Sequence, residues 1–84
     1  MAEALVGKVT HYYGKPHVGV VKLSAPIAVG DVLHFCGHGA DFQQALGSME
    51  IDHAKVERAP AGSEVAIQVG ERLREGAEVY RVAS

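Results

Sequence analysis

One cysteine, Cys36, stands in a chain of 84 residues, so neither an internal disulfide nor a cysteine-rich zinc site can form. Such scarcity fits a reducing compartment. Basic residues are not in excess either: eight Lys and Arg face ten Asp and Glu, for a formal charge of −2. A nucleic-acid coat carries a basic surface, so any RNA contact has to come from a local patch. No apolar run approaches the roughly 20 residues that span a bilayer. The opening Met1-Ala2-Glu3-Ala4 lacks the basic-then-apolar pattern of a leader. A cytoplasmic protein without membrane contact is the expectation.

Signatures of chemistry are missing as well. There is no Gly-x-x-x-x-Gly-Lys-Ser/Thr loop to cradle phosphates, which excludes nucleotide binding and GTPase activity of that kind. Ser48 and Ser63 lack a nucleophile elbow. Cys36 is two residues from His34 and from His38, and such neighbours on a strand stand about 6–7 Å apart, beyond hydrogen-bond reach. Glu50 and Asp52 pair in sequence only, as a solvated strand end. The residues therefore point to a protein that is not an enzyme and carries no cofactor.

What is present is a folded domain. Hydrophobic residues make up 48% and charged residues 21%, an ordinary balance for a globule. Leu5–Tyr13 and His17–Leu23 read as strands joined by a Gly14-Lys15-Pro16 turn. Val32–Cys36 follows Gly30-Asp31 and ends at Gly37-His38-Gly39. Asp41–Ile51 reads as a long strand, bent or bulged near Gly47. Residues 52–59 are stopped by Pro60 and Gly62 and predict an irregular loop or a turn of helix. Two more strands end the chain, the second over Val79–Val82. Leu33, Phe35, Met49, Ile51, Val65, Ile67, Val79 and Val82 supply the interior. Six short strands with Gly-rich turns predict an all-β domain over residues 4–82, a barrel or a sandwich.

Five segments bring a family resemblance: Gly7-Lys8-Val9, Val29-Gly30-Asp31, Ser48-Met49-Glu50-Ile51, Ala61-Gly62-Ser63-Glu64-Val65-Ala66-Ile67 and Glu75-Gly76. In this order they resemble the second domain of translational GTPases such as elongation factor Tu. They are similar also to stand-alone elongation-factor-like proteins and to the barrel appended to collagenase-like peptidases. The resemblance implies a six-stranded closed antiparallel β-barrel. It implies a binding module that contacts tRNA, rRNA or a translation-associated protein. The alternative is a protein–protein adaptor acting in trans with a collagenase-like peptidase or another partner enzyme. The family's rim pocket falls on Asp52, with His53 beside it, and on Glu64, two acids that would repel a phosphate-rich ligand.

Two residue sets remain. In a hairpin centred near Lys15, Lys8 faces Lys22, Thr10 faces Val20 and Tyr12 faces Val18. With Lys15 and His17 these residues could form a basic and aromatic surface for a phosphate backbone or a stacked base; equally, edge lysines block strand pairing. His34, Cys36 and His38 alternate, a spacing that could offer soft ligands to zinc or copper. Gly37 and Gly39 turn the strand at His38, so no metal is expected there. Val18 and Val20 face outward and could meet another protein.

Overall fold

A computed structural model describes residues 2–15 and 17–83. Pro16 of the expected first turn lies outside the described residues. The described chain is all β: β1 (Ala2–Tyr13), β2 (Val18–Leu23), β3 (Ile27–Ala28), β4 (Val32–Gly37), β5 (Ala40–Ala45), β6 (Met49–Ile51), β7 (Ala54–Val56), β8 (Arg58–Ala59), β9 (Glu64–Gln68) and β10 (Glu78–Ala83). Eight of these form one antiparallel sheet in the order β5-β4-β10-β1-β2-β9-β6-β7, while β3 pairs with β8. No described helix is long and apolar enough to cross a membrane.

The central strand β1 serves two neighbours through two irregularities. Against β10 the register slips between Leu5 and Gly7, and against β2 it slips between Val9 and His11. Each slip leaves one extra residue, Val6 and then Thr10, which bends and coils the strand. Val6 and Val9 both reach the core as a result. Gly7 fits because nothing else would: a Cβ there would stand 2.6 Å from the Lys22 carbonyl oxygen.

Alternation then fills the interior. Val21 and Leu23 from β2, Leu33 and Phe35 from β4, Val65 and Ile67 from β9, and Val79 from β10 are buried, as a strand with one face inward requires. The Phe35 ring stacks on Phe42 at 5.1 Å between centroids. Of the expected interior, Ile51 and Val82 are only half-buried.

The expected six-stranded closed barrel is corrected to an open, curled sheet. The expected strand Asp41–Ile51 stops at Ala45 and restarts at Met49, so Gly47 marks a crossing between sheet positions far apart rather than a bulge. β5 and β7 are the sheet's two ends, and no backbone ladder joins them. The short β3–β8 ladder and one side chain reach across the opening. The Gln44 amide donates to the Gln68 carbonyl at 2.9 Å and accepts from the Gly70 N–H at 3.0 Å. Residues 52–59 also differ from expectation: Asp52 and His53, at φ 51° and 64°, form a two-residue turn joining β6 to β7. Two left-handed residues match the twist of a tight hairpin, and no helix forms.

Candidate functional site

The outward face of β2, β9, β6 and β7 is set by register. Val20 lies across from Ala66, Ala66 from Glu50, and Glu50 from Lys55. One step along, Tyr13 faces Val18 and Val18 faces Gln68. Partners across an antiparallel ladder share a face, so these rows make one surface with an apolar floor. It is concave: a groove of about 690 Å³ is lined by Val18, Val20, Met49 and Ala66, with Tyr13 and His53 among its borders. Val18 and Val20 are half-buried and Tyr13 is 50% exposed. The outward pair read from the sequence is thus part of a groove. Of the three rim positions, His53 borders it, while Asp52 caps the β6–β7 turn and Glu64 starts β9 opposite Lys22.

The lysines are placed differently. Lys8 and Lys22 do face each other, and like charges so placed repel. Each also has an acid as its other cross-strand partner, Glu78 for Lys8 and Glu64 for Lys22. The Lys22 ammonium further donates to the Gly62 carbonyl at 2.8 Å. Beyond Val9 the slip pairs Tyr12 with Gly19, so the expected Thr10–Val20 and Tyr12–Val18 pairings do not form. Tyr12 packs against the core, and its hydroxyl lies 3.3 Å from His17 Nδ1. Lys15 belongs to the hairpin turn, roughly 20 Å of extended chain from Lys8. The five residues do not converge on one patch.

A third cluster lies across β1, β4 and β5. His34 Nδ1 is 2.9 Å from Glu3 Oε1, and Nε2 is 2.5 Å from Asp41 Oδ1. The Asp41 and Glu3 carboxylates raise the His34 pKa above 6.5, burial opposing them. Cys36 stands across from Asp41 on one side and Glu78 on the other. The Tyr80 hydroxyl donates to Glu78 at 2.9 Å, which pushes its pKa up. His38 sits in the β4–β5 turn at φ 54°, and its ring lies over Gly76. The expected trio therefore splits: His34 and Cys36 stay together, and Asp41 takes the place assigned to His38. Asp41 and Glu3 went unrecognised, although pairing the chain around Gly37-His38-Gly39 would have set Asp41 opposite Cys36.

No family model matches the chain. An uncharacterized protease of Methanocaldococcus jannaschii is 30% identical over 76 residues, which cover 89% of this chain and 19% of that protein. The chain thus spans about a fifth of the curated relative's length. Among solved structures, the C-terminal domain of a provisionally assigned U32 peptidase of Geobacillus thermoleovorans superposes with a TM-score of 0.88. That match is 17% identical and covers 94% of this chain and 92% of the other. The selenomethionine variant of the same domain gives 0.86 at 18% identity, covering 90% and 96%.

These findings correct the translational assignment. The chain's fold is that of a peptidase C-terminal domain, which supports the peptidase half of the resemblance and not the elongation-factor half. The reason lies in what carried the likeness. Gly30, Gly62 and Gly76 all sit at φ near 90–103°, so three of the five segments record left-handed turns.

Proposed function

We propose that this chain is a non-catalytic docking module associated with a peptidase, holding a protein partner in the groove over β2, β9 and β6. The observation that carries this reading is the near-complete superposition on a domain placed at the C-terminus of a larger peptidase. A module of that size beside a catalytic part has the means to pack against it. Here the groove offers them: an apolar floor of Val18, Val20 and Ala66 with polar borders at Glu50, His53 and Lys55. An apolar centre inside a polar rim is how protein interfaces are built. The partner of this proposal is the catalytic region of a U32-type peptidase, met in the same chain or in trans, in a cytoplasmic setting.

Calorimetric titration of the chain with such a catalytic region from the same organism tests it. Saturable binding is expected, at least tenfold weaker for Val20→Glu and for Val18→Glu with unchanged circular dichroism. A carboxylate would have to be desolvated at the interface centre. Salt should change the affinity little. Equal binding by both variants would overturn the proposal, as would binding only to tRNA or rRNA fragments with steep salt dependence.

A further inference from the structure

We propose that His34, Cys36 and Asp41 form a binding site for a zinc-class divalent cation on the outward face of β4 and β5, at the other end of the strand order from the docking groove. One ligand atom from each of the three residues lies within 4.8 Å of the others. A tight turn makes this possible. His38 and Gly39 both adopt positive φ, 54° and 90°, which folds β5 directly back on β4 and sets Asp41 across from Cys36. His34 is two residues before Cys36 and so projects from the same side of the strand.

The chemistry of the three donors is complementary. Imidazole nitrogen, thiolate sulfur and carboxylate oxygen are the ligand types that zinc accepts, at about 2.0–2.3 Å each. Tetrahedral ligands at those lengths stand roughly 3.3–3.8 Å apart, so Asp41 Oδ1 has to withdraw about 1 Å from Nε2. The Asp41 side chain is 78% exposed and has room to do so. Glu3 supplies what a histidine ligand needs behind it. Its carboxylate lies 2.9 Å from Nδ1, which holds the hydrogen on that nitrogen, fixes the ring and leaves Nε2 for the ion. Charge favours a cation too. Glu3 and Asp41 border the cluster, and the described ion pairs there involve only His34; Glu78, the other neighbour of Cys36, has Lys8 across from it. A water would complete the tetrahedron.

The test uses untagged protein stripped with a chelator and titrated with Co²⁺ and then Zn²⁺. One equivalent of Co²⁺ should give a near-ultraviolet thiolate charge-transfer band that Zn²⁺ abolishes. Cys36→Ser should remove the band, and Asp41→Asn should weaken binding at least tenfold. Glu3→Gln acts through His34, so it should keep the band while lowering affinity by roughly 10–100-fold. His34→Ala should lose binding; if that variant unfolds, Cys36→Ser decides the matter alone. Absence of saturable binding overturns the proposal, as does binding that Cys36→Ser and Asp41→Asn leave unchanged. The latter would place the ion on His11, His17, His38 or His53.

Discussion

Removing the Gln44 side chain should loosen a side-chain link across the open side of the sheet, where the β3–β8 ladder and the Val29 N–H to Glu57 carbonyl bond also reach between the two ends. Gln44 is the register partner of Leu33, a core residue, so its amide starts from the inner face of β5 and reaches the far end of β9. Gln44→Ala deletes a donor at 2.9 Å to Gln68 and an acceptor at 3.0 Å to Gly70. Each such bond contributes about 0.5–1.5 kcal/mol when net of water. Gln68 and Gly70 are exposed, and water can replace both partners, so the low end applies. A total loss of about 1 kcal/mol lowers Tm by roughly 4–8 °C in a domain of this size. Gln44→Glu should cost about as much, because its carboxylate still accepts from Gly70 yet faces the Gln68 carbonyl as a second acceptor. Calorimetric melts supply the first readout and hydrogen exchange at the Gly70 amide the second, with protection falling about fivefold. A Tm within one degree of wild type and unchanged protection at Gly70 would refute the idea that this side chain helps hold the open side together.

Two other perturbations address the sheet's centre and its edge cluster. Gly7→Ala places a Cβ 2.6 Å from the Lys22 carbonyl oxygen and 2.9 Å from Val21 Cγ1; backbone cannot yield as a side chain does, so about 2–3 kcal/mol should be lost, read as a lower urea midpoint at unchanged m. The second concerns pH in the presence of chelator. Carboxylates on both ring nitrogens raise the folded pKa of His34 above 6.5, so its contribution to stability is complete below about pH 6.5 and disappears as pH rises through the folded value. Melts between pH 5 and 8.5 should therefore show wild type exceeding His34→Gln most at pH 5–6 and converging with it at the alkaline end; a gap that widens with pH would invert the assignment.

Sequence patterning reached the all-β class, most of the core and the outward pair Val18 and Val20, because two-residue alternation marks all three. The Lys8–Lys22 pairing was readable for the same reason. Its failure beyond Val9 has a specific cause: the extra residue at Thr10 changes register through backbone geometry and leaves no mark on composition. Closure was misread because the expected strand Asp41–Ile51 breaks after Ala45 and crosses to the other end of the sheet, a crossing that alternation does not mark. The β6–β7 hairpin escaped notice because Asp52 and His53 occupy left-handed positions that Asn-Gly or Asp-Gly would have advertised. Asp41 was assigned to a strand start, and only the tight turn at His38-Gly39 reveals that it faces Cys36.

The division of surfaces follows from single strands. Outward positions on β2 run Val18, Val20, Lys22, and the change from apolar to charged falls within one residue pair. Below that change, Lys8 and Lys22 stand between Glu78 and Glu64 in a row across four strands. The row balances its own charge, so it demands no ligand. Above it, Val20 and Ala66 are neighbours with no charged residue between them, and burying them removes apolar area from water at about 25 cal/mol per Å². Association is therefore favoured at the groove and not at the lysines. Gly19, whose added Cβ would meet Leu73 at 2.9 Å, holds the same strand close to the core between the two valines. The docking face is thus backed by the packed interior, and a partner would meet a surface already formed.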